Sequence, residues 1–207
     1  MSNFNSDLEK AGILSEYLDF IYKSKKLNFK RIDDFDKQLQ GIDLILYHDS
    51  NEYFVDEKAQ LDYINSDLPT FTFEFSFLKN NVLKKGWLFD NSKCTDYYFL
   101  ITGIFLKDGK NKLESPEDID KLKITSVDRQ KLIEHLSSVN LSKDKLLKYA
   151  SDIRKTNSFY KNSIPELKPN KEGLIYFTKH KSEKPINLQL RLQYLIDNDI
   201  AKKFHYV

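Results

Sequence analysis

A mixed α/β fold of the α+β kind is what this sequence predicts, and three observations predict it. An amphipathic helical pattern opens the chain, strand-like alternation dominates from about residue 27 to 105, and capped helical patterns return after Ser126. A helix, a strand meander and further helices imply a central mixed sheet with helices flanking it. The chain has 207 residues, 40% of them hydrophobic and 14% aromatic, which is enough to bury a core. With 6 Gly, 5 Pro, no repeat and no Ser- or Pro-rich linker, residues 1–207 read as one domain. Its motif-bearing part covers about 8–105, and helices and strands over 115–207 are expected to pack on it.

The elements follow in order. A helix is expected from Asp7 to Tyr22, with Ser6 as N-cap and Leu8, Ala11, Leu14, Leu18 and Ile21 recurring every three or four residues. Its other face carries Glu9, Glu16 and Asp19. LNFKRI (27–32) alternates as a strand and DDFDKQ (33–38) reads as a polar turn. GIDLILY (41–47) and EYFVDEKAQ (52–60) form a hairpin about His48, Asp49, Ser50 and Asn51. TFTFEFSF (70–77), KKGWLF (84–89) and DYYFLITGIF (96–105) are further strands, with Asn80-Asn81 and Asp108-Gly109 as turn signals. Helices follow Ser126 (DRQKLIEHL) and Ser142 (KDKLLKYASDI). GLIYFTK (173–179) and the alternating INLQLRLQ (186–193) read as strands, and a short helix covers Tyr194 to Ala201.

Composition excludes several function classes. Lys plus Arg number 33 and Asp plus Glu 31, a net charge of +2, so a nucleic-acid site has to be a local patch. No apolar run approaches the roughly 20 residues of a membrane-spanning helix, so no membrane partner is expected. MSNFNSDLEK lacks a secretory pattern, and a cytoplasmic location is expected. Cys94 stands alone and reads as inert. The glycines, at 12, 41, 86, 103, 109 and 173, are too dispersed to form a nucleotide-phosphate loop.

Candidate chemistry sits in the 41–60 hairpin. A turn centred between Asp49 and Ser50 pairs residues whose numbers sum to 99, so Asp43 faces Asp56. Directly opposed side chains have Cβ atoms about 4.5–5.5 Å apart, and like charges there destabilise a sheet. A positive group is therefore expected between them. Alternation puts Lys58, and Gln60 after it, on the face of Asp56. Two acids with an amine and an amide suit Mg²⁺ or Mn²⁺, which bind through one or two carboxylates and keep waters for a phosphate substrate to displace. Such a metal lowers the pKa of its water and neutralises charge developing on phosphorus oxygens, while Lys58 polarises the attacking water.

These residues resemble the PD-(D/E)XK nucleases, whose restriction-endonuclease-like core is a helix followed by a β-meander carrying the site. By that resemblance Asp43 is the first metal-binding acid, Asp56 and Lys58 in VDEKAQ are the acid-x-lysine, and Gln60 is the polar residue beyond the lysine. Glu16, or else Glu9, takes the place of the acid that the first helix of many members supplies. The resemblance spans residues 8–60, about a quarter of the chain. Ile42 stands where the family name has proline, and LDYINSDLP (61–69) leaves room only for a turn or two where a helix is usual. The implied activity is metal-dependent hydrolysis of nucleic-acid phosphodiesters, with DNA as the expected partner and a homodimer compatible with it.

Other readings stand beside this one. The first is a catalytically silent DNA- or protein-binding module that keeps the fold. Another is a metal-free buried ion pair in which Lys58 neutralises Asp43 and Asp56. Glu57 falls on the opposite face with Val55 and Ala59, and His48 at the turn reads as exposed. Phe71, Phe73, Phe75 and Phe77 read as a core stripe, with Glu74 exposed or reaching the site from a neighbouring strand. Lysines at 23, 25, 26 and 30 with Arg31, and those at 79, 84, 85 and 93, read as solvated surface or as phosphate contacts.

Overall fold

The computed structural model describes residues 4–206. In chain order these form α1 (Phe4–Ser24), β1 (Asn28–Arg31), α2 (Phe35–Leu39), β2 (Leu44–His48), β3 (Asn51–Ala59), β4 (Thr70–Lys79), β5 (Val82–Lys85), β6 (Tyr97–Leu106), β7 (Ile119–Asp128), α3 (Arg129–Ser138), α4 (Lys143–Lys155), β8 (Tyr160–Asn162), β9 (Gly173–Phe177), β10 (Ile186–Arg191), α5 (Leu192–Asp197) and β11 (Ala201–Tyr206). The fold is mixed α/β, with two sheets. Although no linker marks a boundary in the sequence, the chain gathers into two compact units. One takes residues up to Leu68, Cys94–Val127 and those from Lys202 onward; the other takes Pro69–Lys93 and Asp128–Ala201. The crossings lie at or near strand ends, which is why composition does not betray them.

The first unit holds a six-stranded sheet in the order β1-β2-β3-β6-β7-β11. β1, β2 and β3 are antiparallel neighbours, whereas β3 and β6 run parallel. Leu14, Leu18, Ile21 and Tyr22 of α1 pack against Leu44, Val55, Phe99 and Ile101, so α1 covers the face of β3 that carries its odd-numbered residues. Each such side chain contributes roughly 1.5–3 kcal/mol of burial. Asp49 and Ser50 both have positive φ, 47° and 66°, and make the two-residue turn whose twist matches the strands on either side. His48 therefore pairs with Asn51, as the sum of 99 requires.

The second unit holds an antiparallel sheet in the order β5-β4-β10-β9-β8. Asn80 and Asn81, with φ of 52° and 61°, repeat the two-residue turn device between β4 and β5. Phe71, Phe73 and Phe75 are buried as their stripe predicts. The β4–β10 register then slips at Phe75, so Ser76 is buried and Phe77 only half so.

Several expected elements take another form. α1 begins at Phe4, so Ser6 lies inside the helix rather than capping it. The polar segment after β1 is α2, capped by the Asp34 carboxylate accepting from the Lys37 N–H. KKGWLF divides into the end of β5 and a 3-10 turn, Trp87–Phe89. The helix expected after Ser126 starts at Arg129 with Asp128 as its cap, because β7 occupies the preceding residues. β7, β8 and β11 lack clean alternation. In β7 the buried Ile119, Leu122, Ile124 and Val127 are irregularly spaced among exposed Asp120 and Lys121, so no period of two shows. Between Gln60 and Pro69 the chain makes turns and isolated bridges to β6, at Ile64–Ile104 and Asp67–Gly103, in place of a helix. No helix among the described residues is long and apolar enough to cross a membrane.

Candidate functional site

The regular β2–β3 ladder ends at Leu44–Val55, one residue short of Asp43 and Asp56. Asp43 lies just before β2, and its backbone is held on both sides: its N–H donates to Val55 O and its C=O accepts from Ile32 N–H, both at 2.9 Å. Its carboxylate accepts from the Glu57 N–H at 2.7 Å, taking the place of a strand carbonyl. The side chain just before β2 thereby closes the ladder and is fixed against the peptide that joins Asp56 to Glu57.

Asp56 is buried, only 2% exposed, and Lys58 on the same face donates to its Oδ1 at 2.5 Å. The Lys58 side chain remains 31% exposed. Burial, and next the charge of Asp56, push the Asp43 carboxyl up to about 7, against the opposing pull of the Glu57 N–H and of Lys58. The two acids therefore share one electrostatic environment, and near neutral pH they resist carrying both charges. Gln60 follows on the Lys58 face, its Oε1 buried without a hydrogen-bond partner.

Glu57 points to the other face, toward α1. Its carboxylate accepts from the Tyr22 hydroxyl at 2.6 Å and pairs with Arg31, which also holds Asp19. Burial and the adjacent Glu57 raise the Tyr22 hydroxyl well above its ordinary range, so it stays a donor. Thus the carboxylate that α1 delivers to the sheet is Asp19, acting through Arg31. Glu16 and Glu9 are exposed, and α1 lies on the face of β3 opposite Asp56. The structure brings together Asp43, Asp56 and Lys58 with Gln60 next along the strand. It does not bring Glu16 to them.

Sequence reasoning missed the Tyr22–Glu57–Arg31–Asp19 chain. The available signal was Glu57 itself, a carboxylate facing the same way as Val55 and Ala59. A charge on a core-facing position needs a partner, and Arg31 on β1 and Tyr22 on α1 are what folding supplies. His48 is exposed, as expected of a turn residue, and Cys94 is exposed as well. Glu74 belongs to β4, a strand of the other sheet, and is not on a strand neighbouring β3.

Around Glu57 and its flanking residues, four carboxylates (Asp19, Asp43, Asp56, Glu57) face two cationic side chains (Arg31, Lys58). Asp19, Glu57 and Arg31 lie on the α1 face, and on the other face Asp43, Asp56 and Lys58 leave one net negative charge when all are ionised, which a divalent cation would more than offset. Asp43 and Asp56 are the pair that would hold it, with water or phosphate oxygens completing the shell. Among the described residues no three His, Cys, Asp or Glu side chains converge as a metal cage. Asp43 and Asp56 would offer a cation two carboxylates, the number Mg²⁺ or Mn²⁺ uses when it keeps several waters. Compared with family models, with curated proteins and with solved structures, the chain gives no match.

Proposed function

We propose that the chain is a metal-dependent nuclease of the PD-(D/E)XK type, acting on DNA in the first instance. The observation that carries this reading is the placement of Asp43, its carboxyl pushed up by burial and by the charge of Asp56, with the buried Asp56 and Lys58 at the end of the β2–β3 ladder. Two acids held together so that one resists ionisation are unfavourable in an isolated fold and favourable around Mg²⁺ or Mn²⁺. In this reading Asp43 and Asp56 bind the ion, Lys58 orients and polarises the attacking water, and Gln60 supports that water. The helix-then-meander order, α1 through β3, fits a restriction-endonuclease-like core. The route from β3 to its parallel neighbour β6 departs from it, since it begins with turns and the strands β4 and β5 where a helix is usual.

A metal-free ion pair is the competing reading, favoured by a specific observation: Lys58 already donates to the buried Asp56. In that case the fold is a silent binding module, and Lys58 is structural. Cleavage and binding of linear and supercoiled DNA, measured together at one salt concentration, separate the two. The nuclease reading expects cutting with Mg²⁺ or Mn²⁺ and none in EDTA. It expects Lys58→Met to retain most DNA affinity while turnover falls about 10²-fold or more. Cleavage indifferent to chelation, or no cleavage with any divalent ion, would refute it.

A further inference from the structure

Among the described residues, buried side-chain atoms without a hydrogen-bond partner include Gln60 Oε1 and Thr102 Oγ1. These two are neighbours. β3 and β6 run parallel with Ala59 opposite Ile101, and the Gln60 N–H continues that ladder to Ile101 O at 3.1 Å. Gln60 and Thr102 are therefore the next pair. Paired residues of a parallel ladder share a face, and alternation makes it the face of Asp56 and Lys58. Thr102 is only 3% exposed, so its hydroxyl has little access to bulk solvent.

A buried amide oxygen and a buried hydroxyl each carry a desolvation penalty unless something bonds to them. One water satisfies both, since it donates to Gln60 Oε1 and exchanges a hydrogen bond with Thr102 Oγ1, which can act as donor or acceptor. A divalent ion is a poorer occupant, because both oxygens are neutral, the residue two back along the face is the cationic Lys58, and the carboxylate of Asp56 lies four residues back.

We propose that Gln60 and Thr102 hold one ordered water at the end of the β3–β6 pair, next to Lys58, and that Thr102 is a positioning residue for the water that attacks the phosphodiester. The second half rests on the nuclease reading; the first does not. In the attack the water oxygen forms a bond to phosphorus and the bridging P–O bond breaks. The departing strand-end oxygen takes the electron pair and the equivalent of the proton that the water gives up, so one water is consumed per bond cut. Thr102 acts without touching the scissile group, by holding the nucleophile in line while Lys58 polarises it.

Two measurements on the full chain test this. In a crystal structure that resolves waters, a water within hydrogen-bond distance of both Gln60 Oε1 and Thr102 Oγ1 is expected in the wild type and not in Thr102→Val. A direct Gln60–Thr102 hydrogen bond, or no water there, overturns the site. In steady-state and single-turnover cleavage with Mn²⁺, Thr102→Val should lower kcat about tenfold or more with KM and the Mn²⁺-induced melting shift unchanged, and Thr102→Ser should restore most of it. Circular dichroism and melting of both variants control for folding. Equal kcat for wild type and Thr102→Val, or a change in KM alone, overturns the positioning role. If the wild type cuts no DNA with Mg²⁺ or Mn²⁺, the positioning role fails together with the nuclease reading, while the crystallographic water is judged by itself.

Discussion

Replacing Asp43 by Asn should stabilise the protein at pH 8 and leave it nearly unchanged at pH 4. Burial and Asp56 raise the Asp43 carboxyl from its ordinary 3.8 to about 7. A carboxyl raised in the folded state binds its proton more tightly there than in the unfolded chain. Wild-type stability therefore falls as pH rises from about 4 through about 7, and the loss is complete above that window. Three pKa units at about 1.4 kcal/mol each set an upper limit of about 4 kcal/mol. Asp43 keeps some solvent contact and Lys58 lies close, so roughly 1–3 kcal/mol is the expected gain. Asn preserves the essential hydrogen bond, because its amide oxygen still accepts from the Glu57 N–H and its NH₂ can donate to Asp56. Urea unfolding of both proteins in EDTA at pH 4 and pH 8 measures the effect. A variant less stable than wild type at pH 8, or an equal difference at both pH values, would show that Asp43 is not strained. Added Mn²⁺ at pH 8 should then raise the wild-type midpoint and leave that of Asp43→Asn nearly unmoved.

Three further outcomes follow from the same geometry. Arg31→Met strips Glu57 and Asp19 of their common partner while Glu57 stays largely buried; a loss of roughly 2–4 kcal/mol is expected by urea unfolding, and a change below about 0.5 kcal/mol would mean that the ion pairs are idle. Tyr22→Phe keeps the ring in the core but removes the donor to Glu57, with an expected loss of about 1–2 kcal/mol at neutral pH, checked the same way. In the second unit, a Cβ on Gly86 would stand 2.3 Å from Glu74 O, inside backbone that cannot yield cheaply. Gly86→Ala should therefore cost about 1–3 kcal/mol, and unchanged stability would contradict the close β4 contact.

The sequence by itself determined the local pieces whose physics is local. The apolar spacing of Leu14, Leu18 and Ile21 forces a helix to bury one stripe, and those residues are buried. Asp49-Ser50 and Asn80-Asn81 are residue types that tolerate positive φ, so both hairpins and the 99-sum register from Leu44 to His48 were legible. That register, with alternation, also placed Lys58 beside Asp56 and sent Glu57 to the other face. Only the tertiary structure decided where the ladder stops, because Asp43 exchanges a strand partner for the Glu57 N–H through bonds made with β1 and β3 together. It alone chose Asp19 over Glu16 as the acid that α1 delivers to the sheet. Both lie on the polar side of the helix, and the choice depends on the reach of Arg31 from β1. Thr102 came to Gln60 through a parallel pairing of strands some forty residues apart, which no hydrophobic period encodes. The division into two units was equally hidden, since each chain crossing falls near a strand end where the composition does not change.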